Sequence, residues 1–246
     1  MTEYGPFWGP GFWVQIPSQR PFLRKFMRII ATSDTHYPVK DISIIPDGDV
    51  FIHAGDLMQN GYPDEWNPCL TWLAALPHKH KYYIPGNHDF HVKNYPGPAL
   101  QDLRKIGVTV VGIPDNPNYR KVILPNGMVM AGLPFVLDLP KWAFNISWQE
   151  LDDNLKKIGP SDIVVSHCPL KGILDTNTQG EHVGICGGYH QYIYHQYIRQ
   201  YKPHTWIHGH VHESYGIAAF EGCKIYNVAM CDRHYKHANP PMIIDV

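Results

Sequence analysis

The stretch Lys81-Tyr82-Tyr83-Ile84-Pro85-Gly86-Asn87-His88-Asp89 decides how the chain is read. Its first four residues form a short β-branched and aromatic run, which predicts a buried strand ended by Pro85. An amide, an imidazole and a carboxylate follow in succession, and such side chains add little to a core. The strand therefore serves to place polar groups. Asn87 offers a neutral oxygen ligand, His88 a ligand or a proton donor, and Asp89 a carboxylate able to orient the imidazole. A Gly-Asn turn closed by a capping aspartate has the same letters, so the rest of the chain must decide between the two readings.

Upstream, residues 27–33 predict a buried strand ending in Ser33-Asp34-Thr35-His36, and residues 49–54 a second one closed by Gly55-Asp56. Residues 64–76 carry Trp66, Leu70, Leu73 and Leu76 at helical spacing and stop at Pro77. Strand, helix, strand is a βαβ unit, whose parallel pairing puts these strand ends on one edge. Downstream, residues 98–106 predict a helix and 108–111 a strand, while Pro125-Asn126-Gly127 signals a hairpin between 121–124 and 128–131. Ser147 opens a capped helix over 148–158 that ends at Gly159-Pro160. The strand 162–166 delivers His167, residues 170–188 read as a loop over the site, and 189–201 as a helix. The strand 205–208 leads into Gly209-His210-Val211-His212, and runs at 215–220, 223–229 and 242–244 make the second half mostly β.

Five strand ends thus carry Asp34 and His36, Asp56, Asn87 and His88, His167, and His210 with His212. Each has a bland reading as a cap, a turn or a satisfied core histidine, but their joint recurrence does not. Carboxylate, amide and imidazole ligands without cysteine suit borderline divalent ions and argue against a closed structural zinc site. Pairs separated by one residue, Asp34/His36 and His210/His212, would project to one side of an extended segment.

The motifs DTH, GD, GNHD, SH and GHVH, in this order, resemble those of the calcineurin-like metallophosphoesterase superfamily over residues 27 to about 230. The resemblance implies an α/β fold, a four-layer αββα double β-sheet sandwich with a dinuclear metal site at the strand ends. By this likeness Asp34, His36 and His212 hold one metal ion, Asn87, His167 and His210 the other, and Asp56 bridges them. His88 then contacts the phosphate and protonates the leaving oxygen, with Asp89 orienting it. Two divalent ions are implied, Mn²⁺ first, with Fe or Zn²⁺ as alternatives. Such a pair lowers the pKa of a shared water for in-line attack, so no activated serine or cysteine is needed.

The run from Gly55 to Glu65 and His212-Glu213-Ser214-Tyr215-Gly216 is similar to the metallophosphoesterase-domain-containing brain proteins, which implies a phosphodiesterase acting on small phosphodiesters such as cyclic nucleotides. Protein Ser/Thr phosphatases of the superfamily carry an arginine shortly after the bridging aspartate, where this chain has Gln59 and Asn60. A phosphomonoesterase or nucleotide pyrophosphohydrolase is the alternative, and an inactive scaffold would show gaps in the ligand set that this sequence lacks. Lys171, Arg233 and His234 are candidate phosphate contacts, or else solvated loop charges.

Composition agrees with that reading. With 246 residues, 21 basic and 22 acidic, the chain suits one large domain and carries no charge excess for bulk nucleic acid or a membrane surface. The expected partner is a small phosphorylated substrate of nucleotide type; the oligomeric state stays open. Five scattered cysteines without a CxxC pair predict reduced thiols and a cytoplasmic setting. No apolar run approaches the roughly 20 residues of a membrane span. Residues 1–26 lack the apolar core of a secretory signal and are expected to be an extension of a domain over 27–246. Sixteen histidines are the compositional anomaly that a metal site would explain.

Overall fold

The computed structural model describes residues 26–113, 120–185 and 192–246. The expectations for residues 1–25, for the end of the 170–188 loop and for the first three residues of the 189–201 helix lie outside the described residues. In chain order the strands are β1 (Arg28–Thr32), β2 (Val50–His53), β3 (His80–Tyr83), β4 (Val108–Val110), β5 (Lys121–Ile123), β6 (Val129–Leu133), β7 (Ile163–Ser166), β8 (Thr205–His208), β9 (Gly216–Phe220), β10 (Cys223–Asn227) and β11 (Met242–Asp245). The helices are α1 (Pro63–Ala75), α2 (Phe90–Asn94), α3 (Pro96–Lys105), α4 (Trp148–Ile158) and α5 (Ile193–Tyr201).

Two sheets form, in the orders β11-β1-β2-β3-β4 and β5-β6-β7-β8-β10-β9. Strands β1 to β4 are parallel, with Ile30 opposite Phe51 and Ile52 opposite Tyr82, as the βαβ unit requires. The run at 242–244 closes the first sheet's edge as β11, antiparallel to β1. In the second sheet β6, β7, β8 and β10 are parallel, while β5 and β9 return antiparallel at the edges. Asn126-Gly127 turns the β5–β6 hairpin as expected, with Gly127 at φ 85.

Alternation along the strands builds the layers. Ile29, Ala31, Ile52 and Ile84 meet Met130, Ile163, Val165 and Ile207 between the two sheets. One residue out of phase, Ile30, Phe51 and Tyr83 face Trp66, Leu73 and Leu103 of α1 and α3. On the far side Val164, Trp206 and Ile225 pack against Leu151 and Leu155 of α4 and Tyr194 and Ile198 of α5. Both faces of each sheet are covered, which is why the strands read as nearly continuous apolar runs. The result is the four-layer αββα sandwich.

Several elements follow their sequence signals closely. Ser147 accepts from the Glu150 amide while Glu150 accepts from the Ser147 amide, a complete capping box, and Gly159 ends α4. The short α2, directly after Asp89, is an element the periodicity did not suggest. Cys69, Cys168, Cys223 and Cys231 are buried free thiols. No helix among the described residues is long and apolar enough to cross a membrane.

Candidate metal centre

The carboxyl ends of both sheets meet at one edge. Ser33 follows β1 and donates its amide to Val228 after β10, and the next residue, Asp34, accepts the His210 amide at 2.9 and 3.0 Å. The Ser33 hydroxyl donates to the same carboxylate at 2.5 Å. Across the interface, His167 Nε2 lies 3.4 Å from Asp56 Oδ2 and 2.9 Å from Asn87 Oδ1. His212 Nε2 lies 3.5 Å from Asp34 Oδ1 and 3.1 Å from His36 Nε2. Asp34, Asp56, Asn87, His36 and His167 are all buried.

Ligand-type atoms fall into groups lying within 4.8 Å of one another: Asp34 with His36 and His212, Asp56 with His167 and His210, and His36 with Asp56 and His88. His36 and Asp56 each belong to two of these groups, which joins the three into one continuous cluster. All nine residues supplied by the five motifs lie in or directly behind this cluster.

Backbone geometry does part of the positioning. Asp34, His36, Asp56 and His210 hold φ values of 50, 47, 54 and 71, left-handed conformations that cost non-glycine residues energy and gather at functional sites. The expectation that Asp34/His36 and His210/His212 project from extended segments is therefore corrected. Tight turns bring each pair together, with His212 opening a 3-10 turn over 212–214. Glycines supply the clearance: a Cβ at Gly55 would strike the His167 ring, one at Gly86 the Asp56 carboxylate, and one at Gly209 the Asp34 carboxylate.

Backbone carbonyls fix the imidazoles. A carbonyl only accepts, so His167 Nδ1 donates to Ala54 at 3.0 Å and His212 Nδ1 to Asp232 at 2.9 Å, leaving each Nε2 aimed inward. His88 Nδ1 donates to the Gln59 carbonyl at 2.5 Å, and its Nε2 stands 3.9 Å from Asp56 Oδ2. The expectation that Asp89 orients His88 is thus corrected. Asp89 is wholly buried, and its carboxylate accepts the amides of Gly86, Asp56 and Met58 at 2.7, 2.9 and 3.0 Å. It shapes the loops that carry the ligands rather than the ring beside it.

Electrostatics make the cluster ready for cations. Burial alone would raise the Asp56 and Asp34 carboxyls, but His167 beside Asp56 and His212 beside Asp34 hold both well below the usual carboxylate range. Burial alone would lower His167 and His212, yet Asp56 and Asp34 push both imidazoles up to about 9. His36 and His210, desolvated by burial, are lowered to about 4 and stay neutral. Asp89 is raised to about 6 by burial and then by the charge of Asp56, against the pull of its amide donors. His167 has acceptors on both nitrogens, and His36 Nδ1 is buried without a partner. Two divalent ions fit this donor set, because each would take the place of the protons that now neutralise it.

The cluster floors an open cavity of about 320 Å³. Its outer wall contains residues the sequence reading missed. The Trp142 ring lies 4.4 Å from that of His88, and the Tyr235 ring 4.7 Å from that of His36. Isolated aromatics in loops gave no periodic signal. Arg233 lines the cavity, as one of the candidate phosphate contacts, whereas Lys171 donates to the His182 carbonyl and His234 accepts from Arg233. His53 and His208, lowered by burial to about 3 and about 4, are neutral core histidines. They account for part of the histidine excess without metal.

A double sandwich with carboxylates and imidazoles converging at its strand ends defines a metal-dependent phosphoric ester hydrolase. The chain belongs to the calcineurin-like phosphoesterase family, whose model matches residues 27–214. It is similar to metallophosphoesterase domain-containing protein 1 of Homo sapiens, 27% identical over 254 residues that cover 94% of this chain and 74% of that protein. A UPF0046 protein of Caenorhabditis elegans is 28% identical over 241 residues, 92% of this chain and 83% of the other. Among solved structures, the phosphopantetheinyl hydrolase PptH of Mycobacterium tuberculosis shares the fold with a TM-score of 0.58 at 17% identity, covering 84% of this chain and 90% of that one. TT1561 of Thermus thermophilus gives a TM-score of 0.56 at 15% identity, covering 90% and 99%.

Proposed function

We propose that the chain hydrolyses small phosphodiesters, cyclic nucleotides among them, with a pair of divalent ions of which Mn²⁺ is favoured over Fe and Zn²⁺. The observation that carries this reading is a run of three overlapping ligand groups, joined through His36 and Asp56, at the floor of an open cavity. Among the described residues of the cavity wall there is no serine, threonine or cysteine to act as nucleophile. Cys168 is buried, and desolvation pushes its thiol well above its ordinary range.

Ions held by Asp34, His36 and His212 and by Asn87, His167 and His210, with Asp56 between, would polarise the phosphoryl oxygens and acidify the attacking water. The chain's own residues orient the reaction. His88, its Nδ1 proton committed to Gln59, presents Nε2 to the cavity and serves as the proton donor to the leaving oxygen. Water adds to phosphorus, the bond to one ester oxygen breaks, that oxygen departs as an alcohol with the proton from His88 Nε2, and the proton released by the water returns to that nitrogen. Gln59 and Asn60, where an arginine would clamp a phosphomonoester, support a diester substrate. Buried free thiols and the near-neutral charge support a cytoplasmic setting without nucleic acid or membrane as partner.

The test is a panel of 4-nitrophenyl phosphate, bis(4-nitrophenyl) phosphate and 2′,3′- and 3′,5′-cyclic nucleotides with the Mn²⁺-loaded full chain and a His88→Ala control. Turnover of the diesters is expected, and for the cyclic nucleotides, whose alkyl leaving oxygen needs a proton, it should stand well above the control. Turnover of the monoester alone, or of pyrophosphate bonds alone, would replace the diesterase reading with its alternative.

A further inference from the structure

A second cavity of about 190 Å³ adjoins the first, sharing Leu139 and His210 with it. Its walls are Leu137 and Leu139 from one loop, Val183, Gly184 and Ile185 from another, and Cys168. No lysine or arginine lines it among the described residues, and Asp138 stands at its rim. A second phosphate or carboxylate is unwelcome there, whereas an uncharged hydrocarbon chain loses nothing by leaving water.

Both walls are held in place. The 137–145 loop is fixed by Asn145, whose side-chain oxygen accepts the Leu139 amide at 2.9 Å, and by the Ala143 amide, which donates to the carbonyl of Asn87 at 3.1 Å. The opposite wall hangs on the wholly buried Asp175, which accepts the Gly172 and Gly184 amides at 2.9 and 2.8 Å and pairs with His182 Nδ1 at 2.7 Å. Ile185 is further tied to the Pro169 carbonyl at 3.0 Å. The cleft is therefore preformed, and one wall is tied directly to a residue of the metal cluster.

The first cavity differs in character. Trp142 and Tyr235, 38% and 49% exposed, line it with ring centroids 4.4 and 6.4 Å from that of His88. Unburied aromatic faces over a phosphate site suit a planar group. A phosphodiester has two arms diverging from one phosphorus, and two cavities, one mixed and charged and the other mainly apolar, adjoin this cluster.

Resting on the diesterase reading above, we propose that, beside cyclic diesters, the chain takes a mixed phosphodiester: its planar, leaving arm lies against Trp142 and Tyr235, and its other arm is a short uncharged aliphatic chain in the Leu137–Leu139/Val183–Ile185 cleft. Water adds to phosphorus, the bond to the planar arm's oxygen breaks, and the alkyl phosphate remains as the second product.

The experiment uses the Mn²⁺-loaded full chain and 4-nitrophenyl alkyl phosphates with methyl, ethyl, propyl and butyl arms. kcat/KM is expected to rise about fourfold per added methylene, the value of burying one CH₂ group, until the cleft is full. Replacing the butyl arm by a carboxylate-tipped chain of equal length should abolish the gain. In Val183→Trp, at a position 42% exposed, the butyl-to-methyl ratio should fall to about one. Trp142→Ala should lower kcat/KM for the whole series about tenfold and leave its slope intact. Hydrolysis with no dependence on arm length overturns this proposal and leaves the diesterase reading standing. Hydrolysis of 4-nitrophenyl phosphate with none of the diesters overturns both.

Discussion

The carbonyl oxygen of Gln59 stands 2.5 Å from Nδ1 of His88, a contact that fixes one tautomer and turns the other nitrogen toward the cavity. Gln59 is itself held, because the buried Glu65 carboxylate accepts the amides of Gln59, Asn60 and Gly61 at 3.0, 2.9 and 3.0 Å. Glu65→Ala frees that loop and with it the His88 ring. The variant should keep both metal ions yet lose on the order of 10- to 100-fold in kcat. The loss should be larger for alkyl leaving groups, which need a proton, than for 4-nitrophenolate, which does not. Kinetics on the two ester classes, with metal content measured in parallel, check this; equal losses would remove His88 from the role of proton donor.

Asp89 is expected to matter through stability first. In Asp89→Asn the new amide nitrogen faces buried N–H donors of Gly86, Asp56 or Met58, setting donor against donor. A cost of about 3 kcal/mol in a denaturant melt is expected from leaving such groups unsatisfied. Activity should fall with it, because the same amides hold the turns carrying Asp56 and Asn87. A variant of unchanged stability with altered pH dependence would return Asp89 to the orienting role its neighbouring letters suggest.

The pH response should change sign with metal. In the metal-free protein His167 and His212 are raised to about 9, so the stability they confer is complete below their ordinary value near 6.5 and is lost as pH rises through 9. Metal ligation needs the same nitrogens unprotonated, so ion affinity rises over that range. From pH 7 to 9 the chelated protein should lose Tm while the Mn²⁺-loaded protein holds or gains it. Calorimetric titration at pH 7 in buffers of different ionisation enthalpy should show about two protons released on filling both ion sites. Parallel melting curves with and without metal would contradict the pairing of these histidines with Asp56 and Asp34.

Much of this architecture is legible in the sequence because its signals are local. A parallel strand buried on both faces is a short apolar run, and a polar residue after it is a site candidate; that logic reached Asp34, Asp56, Asn87, His167 and His210. What stayed hidden depends on partners distant in sequence or on backbone atoms. Gln59, Ala54 and Asp232 act through carbonyls, which any residue offers. Trp142 and Tyr235 reach the cavity from loops, where no period marks a face. Asp89 misled because adjacency to His88 suggests contact, whereas its side chain turns toward amides more than thirty positions away as well as to Gly86.

Gly86 gives the sharpest geometric expectation. Its backbone needs no left-handed conformation, so alanine carries no conformational penalty, and the cost of a methyl group there is purely one of space. That methyl would meet the Asp56 carboxylate and stand 2.7 Å from His167 Cε1. Asp56 and His167, which close on a shared ion in the function proposed above, are pushed apart by the smallest possible side chain. Gly86→Ala should bind fewer than one ion per chain after Mn²⁺ loading and lose about 100-fold or more in kcat/KM. Gly97→Ala in α3, where a Cβ meets nothing within 4 Å, is the matched control and should be as stable as the parent or slightly more so. Metal analysis and melting of the two variants decide the matter. Full ion binding in Gly86→Ala would mean that Asp56 and His167 do not need their close approach, and the two-ion arrangement would have to be redrawn without it.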